Sequence, residues 1–242
     1  MRLDQALVTQ ALARSRSQAA DLIRRGFVSI DGVVALKASQ SVGTQQRVVI
    51  SDAAPLFVGR GAEKLIAALD QFEFEPDGCI ALDIGASTGG FTEVLLKRGA
   101  AKIYAVDVGH GQLHASLTSN PRVINCEGID ARSIDAVLVP DLVGAIVADV
   151  SFISATKALP AALARADRGA WLVLLVKPQF EAGRAAVGKG GIVRDEAVQR
   201  QCVEAVIGWL ETSMGWRVLG AMQSPITGGD GNQEYLVGAV RA

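Results

Sequence analysis

The chain has 242 residues, half of them hydrophobic, and a net charge of −1: enough apolar content for one ordinary core plus a small second unit, and no global polycation. The charge is uneven, net +3 over residues 1–58 and net −4 over the remainder, so a mildly basic head precedes a mildly acidic body and suggests an anionic partner for the head. No apolar run approaches the roughly 20 residues of a membrane span, and the opening MRLDQALVTQ has charges too early and an apolar stretch too short for a signal peptide.

Residues 2–12 alternate polar and apolar at helical spacing. SRSQ, Ser15 to Gln18, has the pattern of a capping box opening a second helix, with Ala19, Leu22 and Ile23 as its apolar face and Gly26 as its stop. FVSIDGVV predicts a hairpin around Asp31-Gly32, and QRVVIS a further strand. DAAPLF, Asp52 to Phe57, breaks the pattern and is a candidate linker. The head, residues 1–57, is therefore a small α+β unit, and residues 58–242 form the larger domain.

There the pattern predicts a helix around Lys64–Phe72, a strand at Ile80–Ile84, a Gly-rich turn and a helix ending near Gly99. Strands follow at Lys102–Asp107, Val123–Cys126 and Ala145–Asp149, then a helix at Ser154–Ala166, a strand at Trp171–Val176 and a helix from about Asp195 to Thr212. Two last strands, Arg217–Met222 and Glu234–Val240, are joined without room for a helix and should be antiparallel. Alternating strands and helices with one antiparallel pair at the end give an α/β fold, the class I Rossmann-like methyltransferase sheet.

Cys79, Cys126 and Cys202 are scattered, with no CxxC pair, and are read as reduced thiols of a cytoplasmic protein. His110 and His114 stand four apart without an HExxH or a cysteine cluster, so no metal site is expected.

LDIGASTGGFT, Leu82 to Thr92, is a ligand-binding turn at a strand's carboxyl end. Against G-x-G-x-x-G it offers Gly85, Ser87 and Gly90, so the glycine that lets backbone approach a pyrophosphate is missing. A cofactor without one fits better. S-adenosylmethionine would meet Asp83 and the loop amides of Gly85, Ser87, Gly89, Gly90 and Phe91 with its amino-acid end. Asp107, ending the next strand, suits both ribose hydroxyls and serves NAD equally. Asp130 in CEGIDAR is either an adenine contact or a plain loop aspartate. GRAAVGKG, Gly183 to Gly190, matches G-x-x-x-x-G-K but ends in Gly where a phosphate loop needs Ser or Thr, so nucleotide hydrolysis is set aside and a basic glycine-rich loop near the substrate is preferred.

Lys177 closes the apolar run Trp171–Val176, where an ammonium needs partners or a task. Asp149 ends the preceding strand on the same edge. Glu234 begins the last strand, and Lys64 lies on the helix before the first. The four are expected to meet over the methyl donor.

GRGAEKL, LDIGASTGGFTEVLL, DVSFIS, LVKPQFE, GKGGIVRD and SPITGGDGNQEYL together resemble the TlyA family of ribosomal RNA methyltransferases, many of whose members carry the name hemolysin. RLDQALV and SRSQAADLIRRGFVSIDG are similar to the small alpha-L RNA-binding module. The resemblance covers essentially the whole chain. It implies an FtsJ-like domain that moves a methyl group from S-adenosylmethionine to a cytidine 2′-hydroxyl of ribosomal RNA. It also implies a catalytic tetrad of Lys64, Asp149, Lys177 and Glu234, with Asp149 also beside the cofactor. The compact chain points to the large subunit, with the small subunit as the second target. Arg14, Arg16, Arg24 and Arg25 around one short helix, with Arg60 and Lys189, are the expected RNA contacts. Many relatives have Ser at Gly59, a departure expected to touch interdomain coupling rather than the reaction. Three rivals stand beside this reading. A nicotinamide oxidoreductase is opposed by the missing glycine, a noncatalytic RNA-binding protein by the intact tetrad, and a membrane-active hemolysin by the absence of an apolar span.

Overall fold

The computed structural model describes residues 1–183 and 186–242, so Arg184 and Ala185 of the GRAAVGKG stretch lie outside the described residues. The chain divides into two compact units, Met1–Val58 and Gly59–Ala242.

The smaller unit contains α1 (Leu3–Thr9), α2 (Arg16–Arg24), β1 (Val28–Ile30), β2 (Val33–Val34) and β3 (Val48–Ile50), with sheet order β2-β1-β3 and both pairings antiparallel. Asp31 and Gly32 take φ of 52° and 82°, the conformation a two-residue hairpin turn requires. Leu3, Leu7, Leu22, Ile23 and Val28 form its core. Ser15 caps α2 by accepting from the Gln18 amide at 3.2 Å. The capping box is not closed reciprocally: the Gln18 side chain accepts from Arg14 N and donates to the Phe57 carbonyl instead. Residues of the expected linker thus belong to this unit, since Ala54 also packs on its core.

The larger unit runs α3 (Gly61–Phe72), β4 (Ile80–Ile84), α4 (Gly90–Lys97), β5 (Lys102–Asp107), α5 (Ala115–Thr118), β6 (Val123–Glu127), a 3-10 turn (Ala131–Ser133), β7 (Val143–Ala148), α6 (Ala155–Ala158), α7 (Pro160–Leu163), β8 (Ala166–Val176), α8 (Pro178–Glu181), α9 (Glu196–Ser213), β9 (Trp216–Gln223) and β10 (Tyr235–Arg241). Its seven strands lie in the order β6-β5-β4-β7-β8-β10-β9. The first five are parallel, and β10 runs antiparallel to both β8 and β9. The order reverses between β4 and β7, so the crevice at their carboxyl ends is the natural ligand site of an open α/β sheet.

The stretch from Ser154 to Val176 differs from expectation in two elements, and the short helices α5 and α8 and the 3-10 turn are additions. The helix expected over Ser154–Ala166 is two short helices, because Pro160 has no N–H to continue α6 and instead starts α7. The chain is then already extended at Ala166, so β8 begins five residues earlier than the apolar run shows. Its exposed residues Asp167, Arg168 and Gly169 hid that start.

Candidate active site

The glycine turn brings two strand ends into contact. Gly85 leaves β4 with φ of +79°, and a Cβ there would stand 2.3 Å from the Asp149 carbonyl oxygen, so only glycine lets the ends of β4 and β7 approach. Asp149 N donates to Ile84 O at 2.8 Å across the same gap. Ser87 occupies the place of the missing glycine, with a left-handed φ of 48°. Its amide donates to Asp107 Oδ2 at 2.8 Å, and the Gly109 amide donates to Asp107 Oδ1 at 2.7 Å. Both oxygens of Asp107 are therefore fixed by backbone.

A cavity of about 550 Å³, within the range of small-molecule sites, is lined by Gly85, Ser87, Asp107, Ile129, Asp130 and Asp149 among others. The paired Arg132 guanidinium holds the Asp130 carboxyl down at about 2. Glu127, at the end of β6, accepts from Asn125 Nδ2 and from the Leu113 and Gln112 amides, which lowers its carboxyl to about 2 and anchors the loop that carries Gln112 to the cavity wall. Asp83 sits beneath the wall rather than on it. It is fully buried and lines neither this cavity nor the next; Thr92 Oγ1 donates to Oδ2 at 2.5 Å, and Oδ1 has no partner among the described residues. Burial pushes its carboxyl up to about 7, opposed by the Thr92 bond and reinforced by the Asp149 charge.

A second cavity of about 220 Å³ shares Gly85, Ser87 and Asp149 with the first and adds Arg60, Lys64, Gly90, Phe91 and Thr227. The four residues expected to meet form two ion pairs. Lys64 Nζ donates to Glu234 Oε2 at 2.5 Å, both residues less than a tenth exposed. Lys177 Nζ stands 2.5 Å from Asp149 Oδ1 as an ion pair and makes its aligned hydrogen bond to Ser151 Oγ at 2.7 Å. Lys64 and Asp149 line the second cavity together, whereas Lys177 lines neither and reaches the wall through Asp149 and Ser151. Gly89, with φ of 97°, lies against Leu117 and lines neither cavity.

Gly59 requires a correction. It is not a distant linker residue: it lines the second cavity, and a Cβ there would stand 2.7 Å from Thr88 Oγ1. A serine at this place presses on the glycine turn itself.

The expected RNA contacts are exposed, yet three of the six, Arg16, Arg24 and Arg25, have acidic partners. Arg2 donates to Asp4 Oδ1 at 3.0 Å and Arg16 to Asp4 Oδ2 at 2.8 Å, which holds the Asp4 carboxyl well below the usual range. Arg24 and Arg25 both lean on Asp21, at 3.9 and 3.5 Å. Arg14 is exposed, and Arg60 rims the second cavity. Lys189 is exposed in a loop pinned by the buried Asn232 side chain, which donates to Gly191 O and accepts from Val193 N. Sequence reasoning passed over Phe152, which is 92% exposed at the rim of the first cavity with a left-handed φ of 64°. Its signal was an aromatic just past a strand end, inside DVSFIS.

The lining fits an adenosylated cation: two fixed carboxylates, Asp107 and Asp130, beside apolar Ile129, and the Asp149 carboxylate where the second cavity joins.

Residues 57–241 match the FtsJ-like methyltransferase family, and residues 1–48 match the S4 domain. The chain is 46% identical to the 16S/23S rRNA (cytidine-2′-O)-methyltransferase TlyA of Mycobacterium tuberculosis, over 98% of this chain and 88% of that protein. It is 41% identical to hemolysin A of Brachyspira hyodysenteriae, over 98% of each. It is 32% identical to the 23S rRNA (cytidine-2′-O)-methyltransferase TlyA of Campylobacter jejuni, over 95% of each. A solved structure from Streptococcus thermophilus, titled as a hemolysin, superposes with a TM-score of 0.78 at 36% identity, over 100% of this chain and 88% of that one.

Proposed function

Because the chain belongs to the TlyA family of FtsJ-like methyltransferases, we propose that it methylates a cytidine ribose 2′-hydroxyl in ribosomal RNA, with S-adenosylmethionine as donor. The observation that carries this reading is the shared wall of the two cavities: Asp149, paired with Lys177, faces both the pocket that fits the donor and the pocket that holds Lys64. The donor supplies an activated methyl group on a sulfonium. Asp107 would hold its ribose, Asp130 the adenine edge and Asp149 the charged end, whereas the Gly85, Ser87 and Gly89 amides expected there are already engaged by Val106, Asp107 and Ala86.

A ribose hydroxyl is a weak nucleophile near neutral pH and needs a base and an orienting frame. Lys177 would take up the hydroxyl proton at Nζ from the Asp149–Ser151 edge of the wall, while the bound donor would supply the methyl group that replaces that proton. The ammonium so formed rests against Asp149 and Ser151. Lys64, held by Glu234 and lining the same cavity as Asp149, would orient the hydroxyl, so the residues mainly align an in-line transfer.

The M. tuberculosis and C. jejuni relatives are both named for 23S RNA and the first also for 16S, which makes large-subunit RNA the expected substrate and small-subunit RNA the second arm of the test. Purified subunits are incubated with methyl-labelled S-adenosylmethionine and their RNA is digested to nucleosides. Label in 2′-O-methylcytidine from the large subunit is the expected result. Measurable cofactor binding without label in either subunit overturns the reading. No described helix is long and apolar enough to cross a membrane, and no feature of the site favours lysis over methyl transfer.

A further inference from the structure

The proposed reaction uses two cavities along the carboxyl edge of the sheet, and a third adjoins them. It measures about 580 Å³, shares Phe152 and Ile153 with the donor cavity, and continues past them to Lys157, Gln179 and Phe180. We propose that it is a subsite for the base of a nucleotide beside the methylated one, stacked on Phe180 and read by Gln179, an inference that rests on the RNA-methylation reading above.

Three observations favour a nucleobase. The Phe152 and Phe180 rings stand 5.2 Å apart at 50°, forming an aromatic corner with Phe152 almost wholly exposed. A left-handed phenylalanine is a strained arrangement that persists where its surroundings enforce it. Here Glu181 does so, accepting from Ser154 Oγ at 2.6 Å and from Ala155 N at 2.8 Å and pinning the chain just beyond. Second, Gln179 Oε1 is buried with no hydrogen-bond partner among the described residues. A buried acceptor left unsatisfied is unfavourable, so this one awaits a donor. The exocyclic amine of adenine, cytosine or guanine stacked on Phe180 would supply one. Third, Lys157 at the cavity rim is exposed and makes no ion pair among the described residues, which suits the phosphate that accompanies the base. Phe152 follows Asp149 by three residues, so a strand that places its ribose at Asp149 passes this corner with its next nucleotide.

The test measures methyl transfer to ribosomal subunits whose RNA carries each of the four bases on either side of the modified cytidine. It uses the full chain and the variants Gln179→Leu and Phe180→Leu. At one flanking position the parent should disfavour uridine about tenfold in kcat/KM, and Gln179→Leu should erase that preference. Phe180→Leu should raise KM about tenfold for every base. Cofactor affinity and kcat stay unchanged in both variants. Parent-like KM in both variants overturns the subsite, as does a flanking preference that survives Gln179→Leu or the absence of any preference in the parent. Should the parent methylate no ribosomal RNA, the earlier reading fails. Filter binding of mixed-sequence single-stranded RNA then decides: several-fold weaker binding by Phe180→Leu supports the subsite, and equal binding overturns it.

Discussion

Lys64 and Glu234 face each other at 2.5 Å with almost no exposure, so removing one strands a buried charge. Breaking such a pair costs about 3–5 kcal/mol, whereas replacing both members by apolar residues is often neutral. Lys64→Ala should therefore lower the unfolding free energy by about that amount. Lys64→Met with Glu234→Leu should recover most of it in urea titration while methyl transfer stays lost, separating the pair's support of the fold from its part in the reaction. Lys177→Ala has a different signature. Its partner Asp149 keeps access to a cavity, so kcat should fall at least about 100-fold, the scale of a lost general base, with the cofactor dissociation constant nearly unchanged. Full turnover by that variant would remove Lys177 from the mechanism. Asp83 carries a pH signature. Its folded-state pKa of about 7 lies above the unfolded value, so its contribution to stability is full below about pH 4 and is lost as pH rises through 7. The urea midpoint of the parent chain should fall between pH 5 and pH 8, and that of Asp83→Asn should fall distinctly less.

The loop between β5 and β6 shows how one side chain organises an element. Glu127 takes two backbone amides of this loop, from Gln112 and Leu113, at 2.6 and 3.0 Å. Glu127→Ala should loosen that wall of the donor cavity and weaken cofactor binding about tenfold, while the thermal midpoint moves little because the bonds are at the surface. Calorimetric titration and a melting curve on the same sample check both parts. This anchor was not legible in the sequence, since a glutamate ending a strand carries no pattern that names its amide donors. Strands fared better for a physical reason. Ile80–Ile84 and Lys102–Asp107 were read residue for residue, because a strand enclosed on both faces writes a continuous apolar run bounded by polar or glycine residues. The break at Pro160 was visible in the chain but outweighed by helical periodicity on either side. Likewise Asp149, Lys177 and the start of β10 at Glu234 could be placed on one sheet edge from strand order, with Lys64 on the helix before β4. The division of these four into two pairs could not, because that depends on which side chains turn inward across separate loops. Gly59 was misplaced for the same reason: its neighbour Thr88 is 29 residues away in sequence and in contact only through the fold.

At the scale of the molecule, the basic head and the acidic body pose an electrostatic question. A net charge of −1 offers no overall attraction to RNA, so attraction must come from the net +3 of the first 58 residues. Within that unit the arginines are not bare: Asp21 lies 3.9 Å from Arg24 and 3.5 Å from Arg25, and Asp4 ties Arg16. Such pairs at an exposed surface hold direction more than energy. Arg24→Glu with Arg25→Glu places three acids together at the end of the short helix and would make the proposed docking surface repel phosphate. The affinity for ribosomal subunits should fall at least about tenfold at moderate salt, and the slope of log affinity against log salt should shrink by roughly 2, one for each lost phosphate contact. The donor dissociation constant should not move, because the donor cavity belongs entirely to residues 84–158. At saturating subunit concentration kcat should match the parent. A salt slope identical to the parent's would assign docking to another surface, with Arg60 and Lys189 of the larger unit the next pair to reverse.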